Sequence, residues 1–233
     1  MMQGRTIVVT GGLGALGSVV AETAAKRGAS VALLDHAPTL PAGLAERLGA
    51  STLIVGGVDL TSLTATETAM ASVKGKFGRV DALLNIAGGF QWDIIADSKA
   101  DGWDRMYAMN LKTALNACKA ALPYLLESGA GRIVNVGAQS ALHASSGFGP
   151  YAASKSAVHR LTESLADELK LKGVTVNAVL PSIIDTPLNR RDMPTADFSR
   201  WVAPTDLATV ILFLASDEAK AITGALIPVS GRV

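Results

Sequence analysis

At 233 residues the chain suits one large α/β unit, because longer chains tend to split into separately cored parts. Lys plus Arg number 21 against 20 Asp plus Glu, so there is no net field to hold a polyanion or an acidic lipid surface. Neither a nucleic acid nor a membrane is an expected partner. Hydrophobic residues make up 49% and aromatics only 5%, which leaves the core to Ala, Val, Leu and Ile, the usual filling of a buried parallel sheet.

The first ten residues carry one basic residue and only a short apolar run, too little for the core of a secretory signal. No apolar stretch approaches the ~20 residues of a bilayer span. The single cysteine, Cys118, excludes an intrachain disulfide and fits a reducing compartment. A cytoplasmic location is therefore expected, and no metal.

In chain order, a β-branched run at 6–10 enters Thr10-Gly11-Gly12-Leu13-Gly14-Ala15-Leu16-Gly17, and an Ala-rich helix at 15–27 follows at once. A strand, a glycine turn and a helix in direct succession are what a dinucleotide site requires. The glycines let the backbone approach a pyrophosphate, and the free N–H groups at the helix start attract its charge. Gly11, Gly14, Leu16 and Gly17 are candidate cofactor contacts. The next strand, 30–35, ends in Asp35, about 20 residues beyond the glycines, where a carboxylate can accept from adenosine ribose hydroxyls. The same charge repels a 2′-phosphate, and no Arg or Lys lies in the glycine turn or just after Asp35. NAD(H) is therefore preferred over NADP(H).

Further strands are predicted at 52–58, 80–87, 132–136, 174–180 and 225–229, and helices at 61–77, 101–128, 151–171 and 204–215. The alternation implies right-handed βαβ crossovers: a Rossmann-type, doubly wound parallel sheet of about seven strands with helices on both faces, in a single domain over 1–233. The segment 181–204 has poor periodicity and several prolines and reads as a substrate lid, or as a solvated excursion.

Tyr151 and Lys155 stand four residues apart at a helix start, on one face. A free Tyr, with a pKa of about 10, is a poor base at neutral pH. A neighbouring ammonium, joined by a positive nicotinamide, would lower that pKa and let Tyr151 exchange a proton with substrate while the cofactor exchanges a hydride. His36, His143 and His159 are discounted as catalytic. His159 sits roughly 80° around the helix from Tyr151 and reads as packing or a subunit contact. Phe198 and Trp201 either stack on a flat substrate or pin the lid.

Over essentially its whole length the sequence resembles the short-chain dehydrogenase/reductase family. Thr10 to Gly17 is similar to that family's glycine turn, Tyr151 and Lys155 to its Y-x-x-x-K pair, and Asn85-Ile86-Ala87-Gly88 to its N-N-A-G element. Asp59 with Leu60 falls where the family meets adenine, Asn110 where it keeps a proton-relay Asn, and Pro181, Ile184 and Thr186 in the segment beside the nicotinamide. The resemblance thus implies Tyr151, Lys155 and Asn110 as catalytic residues. It implies Asp59, Leu60, Asn85, Ala87, Gly88, Tyr151, Lys155, Pro181, Ile184 and Thr186 as cofactor contacts beside the glycine turn and Asp35. It also implies a small-molecule substrate and a homodimer or homotetramer built on helices 101–128 and 151–171.

Three positions depart from the family pattern. Ala15 replaces a glycine, Ser182 follows Pro181 where a glycine is usual, and Ala138 stands where the family keeps a catalytic Ser. A methyl cannot donate to a developing oxyanion, so either the substrate is activated or a neighbour such as Ser140 or Gln139 acts. The lid run 185–194 and the Ala at 138 resemble dihydropteridine reductases within the family. These use NADH to reduce a conjugated imine. The expected activity is hydride transfer between NAD(H) and a small carbonyl, imine or quinonoid compound. The alternative is a catalytically impaired nucleotide-binding regulatory or assembly protein of the same fold.

Overall fold

Along the first strand, Ile7 and Val9 face one way and Val8 the other, and all three are fully buried, so the strand needs cover on both faces. The computed structural model describes residues 2–97, 99 and 101–233; Met1, at the head of the segment read for a secretory signal, lies outside the described residues, as do Ser98 and Ala100. Seven strands form one sheet: β1 (Thr6–Thr10), β2 (Ser30–Leu34), β3 (Thr52–Val55), β4 (Ala82–Asn85), β5 (Arg132–Val136), β6 (Thr175–Pro181) and β7 (Leu226–Val229). Their spatial order is β3-β2-β1-β4-β5-β6-β7, and every neighbouring pair is parallel.

One face carries α1 (Ala15–Lys26), the short α2 (Leu44–Leu48) and α8 (Pro204–Leu214), whose Val20, Ala24, Leu44, Leu207 and Ile211 pack on Ile7, Val9 and Leu33. The other carries α3 (Leu63–Phe77), α5 (Thr113–Glu127) and α6 (Gly149–Leu169), whose Met70, Val73, Ala121, Leu125 and Leu169 pack on Val8, Leu34 and Leu83. Local signals place the ends. Ser62 caps α3 by accepting from the N–H of Ala65 at 3.3 Å. Gly78, with φ +74°, ends the same helix by donating to the carbonyl of Lys74 at 2.7 Å.

The expected class and strand count hold, while several boundaries move. The strand expected at 52–58 stops at Val55, and that at 80–87 covers Ala82–Asn85, because the chain turns into the cleft where pairing ends. α2 was not anticipated; one turn of helix between Gly43 and Gly49 is too short to show a period. The helix expected at 101–128 is α4 (Asp101–Met106), a π-helical stretch (Tyr107–Lys112) and then α5. The segment 181–204 is more ordered than a bare loop. It holds α7 (Pro187–Asp192), capped by the Thr186 hydroxyl, a 3-10 turn (Phe198–Arg200), and a parallel bridge between Ile184 and Val202.

The chain leaves β1 toward β2 on one side and returns to β4 on the other. A crevice therefore opens at the carboxyl ends of β1 and β4, where ligands bind in open parallel sheets.

Candidate active site

The glycine turn is set by what a side chain would strike. Gly11 has φ +64°, and a Cβ there would lie 2.8 Å from the Cα of Ala87. At Gly17 a Cβ would lie 2.1 Å from the carbonyl oxygen of Gly11, so α1 reaches the turn only as glycine. Thr10 ties the two central strands together beneath it: its hydroxyl oxygen accepts from the N–H groups of Ile86 at 3.1 Å and Ala87 at 3.2 Å. Gly14, extended at the N-cap, makes no side-chain cap, the first turn of α1 carries no acid, and Gly14 and Ala15 are exposed to the cleft. Free N–H groups at the start of a twelve-residue helix fit a pyrophosphate.

Asp35 lies over this turn. One carboxylate oxygen accepts from the N–H of Leu13 at 2.8 Å, the other from the N–H of Ala37 at 2.9 Å. The carboxylate thus braces the glycine turn, and with about four acceptor sites it still has capacity toward the cleft it lines. Asp59 accepts from both the N–H and the hydroxyl of Thr61, bonds that hold its carboxyl below the usual carboxylate range. Leu60 lines the cleft beside it.

At the other end, α6 presents Tyr151 and Lys155. The Lys155 ammonium donates to the carbonyl of Val136 at 2.8 Å and lies 6.0 Å from the centre of the Tyr151 ring. Burial pushes the Lys155 amine down to about 8 and the Tyr151 phenol up to about 12. In the polypeptide itself burial sets the direction for both groups, and the Lys155 amine is engaged by the Val136 carbonyl. Asn110, in the π-helical stretch, is buried and does not line the cleft. Its amide nitrogen donates to the carbonyl of Gly89 at 3.1 Å and to the hydroxyl of Ser154 at 3.0 Å, and its oxygen accepts from the N–H of Gly89 at 3.0 Å. Ser154 in turn donates to the carbonyl of Tyr151 at 2.7 Å, linking Asn110 to the backbone under the tyrosine.

A single cleft of 1540 Å³ runs from Gly14, Asp35 and Asp59 to Tyr151 and Lys155. That exceeds the ~300–1,000 Å³ of an ordinary small-molecule pocket and leaves room for a dinucleotide with a second ligand. The profile of the short chain dehydrogenase family matches residues 5–197.

The chain belongs to the short-chain dehydrogenase family.

Curated relatives agree. The chain is 33% identical to 2-(S)-hydroxypropyl-CoM dehydrogenase 3 of Xanthobacter autotrophicus, over 99% of this chain and 96% of that protein. It is 31% identical to a 3-oxoacyl-acyl-carrier-protein reductase of Thermotoga maritima, over 99% and 98%. Among solved structures it is similar to the 3-ketoacyl-acyl-carrier-protein reductase of Brucella melitensis complexed with NADH, with a TM-score of 0.90 and 27% identity over 100% of this chain and 99% of that one. The carveol dehydrogenase of Mycobacterium avium in complex with NAD gives a TM-score of 0.86 and 26% identity over 98% and 97%. The chain is thus an NAD(P)-dependent oxidoreductase.

The other site residues divide in two groups. Gly11, Leu16, Gly17, Ala87, Gly88, Pro181, Ile184 and Thr186 line the cleft. The side chain of Asn85 does not: its amide donates to Cys118 at 3.2 Å and to Asn135 at 2.9 Å, inside the core. The side chain instead joins β4 to β5 and α5.

Ala138 is buried, as is the imidazole of His159 beneath it, which is pushed down to about 4 by burial and the nearby cations of Arg160 and Lys155. His159 is thus a packed, neutral residue. Gln139 donates to the hydroxyl of Ser230, while the Ser182 hydroxyl donates to the carbonyl of Ser230 at 2.6 Å, so the loops after β5 and β6 meet on one residue after β7. Ser140 lines the cleft in the 3-10 turn (Gln139–Ala141). Trp201 is buried against Phe198, ring centres 4.8 Å apart, and neither lines the cleft; they pin the 181–204 segment together.

Sequence reading missed Phe90, Trp92 and Phe148, which line the cleft beside Tyr151. Their only signal was three aromatics in two irregular segments of a dehydrogenase otherwise poor in them. Among the described residues no group of His, Cys, Asp or Glu is placed to hold a metal, and no helix is long and apolar enough to cross a membrane.

Proposed function

We propose that the enzyme is an NADH-preferring reductase of a small carbonyl, imine or quinonoid compound, with cofactor and substrate held in one domain and 181–204 as the lid. The observation that carries this reading is the continuity of the cleft, which joins the glycine turn and Asp35 to Tyr151 and Lys155. Bound nicotinamide supplies the hydride chemistry. Gly14 and the start of α1 take the pyrophosphate, Asp59 and Leu60 flank the adenine, and the free acceptor sites of Asp35 take the ribose hydroxyls and disfavour a 2′-phosphate.

Tyr151, a phenol that is protonated at neutral pH, donates its proton to the substrate atom being reduced. Lys155 holds the nicotinamide ribose and supports Tyr151 from below. Asn110 is a positioning residue, fixing Gly89 and, through Ser154, the first turn of α6. Ala138 supports an activated acceptor, because no hydroxyl at that point can clamp an ordinary ketone. The narrower reading is a quinonoid dihydropterin.

The deciding experiment follows NADH oxidation with a quinonoid dihydropterin beside a simple cyclic ketone. Reduction of the dihydropterin at more than ten times the rate of the ketone is expected; a faster ketone rejects the narrow reading. Ala138 also favours a second reading, a nucleotide-binding regulator without turnover. NADH binding with no oxidation across quinonoid pterins, quinones, imines and ketones would select it. The enzyme assembles as a homodimer or homotetramer through α5 and α6, whose shared groove is lined by Leu115, Leu122, Leu126, Leu161 and Leu165. Sedimentation of Leu126→Lys against wild type tests this.

A further inference from the structure

Beside Tyr151 the cleft is walled by rings. Phe90 meets Tyr151 edge-on, with centroids 5.1 Å apart and planes at 84°, and meets Phe148 at 5.0 Å. Trp92 meets Phe148 at 5.7 Å and 81°. Edge-to-face contacts of this kind fix ring orientation.

The wall is anchored from behind. Gly147, at φ +74°, lies so close to the indole that a Cβ there would be 2.2 Å from Trp92, so one face of the indole rests on glycine backbone. The N–H of Asp93 donates to the carbonyl of Gly147 at 2.9 Å, tying the Trp92 segment to the Phe148 segment.

Despite this anchoring, Phe90 is 51% and Trp92 55% exposed. Two large aromatic side chains held at defined angles and left half open within a cleft make a surface for another flat ring. In the same cleft Ala138 presents a methyl and the Gln139 amide is engaged by Ser230.

We infer that Phe90 and Trp92 are specificity-determining residues that select a planar, conjugated ring and hold it by stacking beside Tyr151. The inference rests on the proposed hydride transfer for its catalytic meaning, while ring binding can be measured without turnover. Phe148 supports the other two from behind.

The test uses the full chain loaded with NADH and a matched pair of probes, 1-naphthol and decahydro-1-naphthol, which share a skeleton and differ in planarity. Calorimetry should give about tenfold tighter binding of the planar probe. Phe90→Leu and Trp92→Leu should each shrink that ratio, and the double variant should bring it near one, with NADH affinity unchanged. Trp92→Phe keeps a ring and should retain most of the preference. For a reducible planar substrate, the same variants should raise KM about tenfold and move kcat less than twofold.

Equal affinity of wild type for the two probes overturns the inference, as does a preference that survives the double variant. A planar preference in an enzyme that oxidises no NADH overturns the hydride-transfer reading instead and leaves ring selection standing.

Discussion

The backbone N–H of Ala138 donates to Nε2 of His159 across 3.4 Å, placing a buried imidazole behind a residue that lines the same cleft as Tyr151. The bond needs Nε2 unprotonated, and burial with two nearby cations keeps it so, down to about pH 4. In the unfolded chain the same imidazole titrates near 6.5. The unfolded state therefore binds the extra proton first as pH falls, and stability at this site is full above 6.5 and lost progressively toward 4. The loss should reach on the order of 3 kcal/mol. Denaturant midpoints from pH 7 to 4 should fall more steeply in wild type than in His159→Gln, and parallel slopes would refute the account.

Tyr151→Phe removes the phenolic proton and keeps the ring that Phe90 packs against. Turnover should fall by about 10²–10⁴, with NADH affinity within about twofold of wild type. Unchanged steady-state turnover, alongside NADH titration by fluorescence, would remove Tyr151 from the chemistry.

Asp35 carries two duties, because its oxygens brace Leu13 and Ala37 as well as face the cleft. Asp35→Ala should ease the use of NADPH by removing the charge that repels a 2′-phosphate. It should also leave two backbone donors short of a partner and cost about 1–3 kcal/mol of stability. Paired kinetics with NADH and NADPH, run beside a thermal melt, check both effects. A variant that still rejects NADPH would show that the discrimination lies elsewhere.

Ala138→Ser supplies the missing donor. It should raise kcat/KM for a simple ketone by about tenfold or more and barely change that of a quinonoid substrate, which does not need the clamp. No gain with the ketone, in a variant that melts like wild type, would mean that Ser140 or Gln139 already fills the role.

The sheet was legible because short β-branched runs such as 6–10 and 132–136 sit between helical stretches, and these two strands are buried at every position. The glycine turn was legible for a local reason, since Gly11 and Gly17 are forced by contacts within a few residues. The environment of Tyr151 was not, because it depends on burial in the folded chain and on Lys155 being engaged by Val136, a residue nineteen positions away. The direction of the Asn85 side chain was not legible either, because a motif gives position and not direction, and the core took its amide. The aromatic wall was invisible for the same kind of reason: Phe90 and Phe148 meet only after β4 and β5 are paired.

Ser230 receives Gln139 on its hydroxyl oxygen and Ser182 on its carbonyl oxygen, so the segments that follow β5 and β6 are fastened to a common peg. Neither can swing outward alone without breaking a bond to the third. Leu188 and Met193, which line the cleft from α7 and its C-terminal end, lie outside that fastening, so the two sides of the cleft mouth are held by different means.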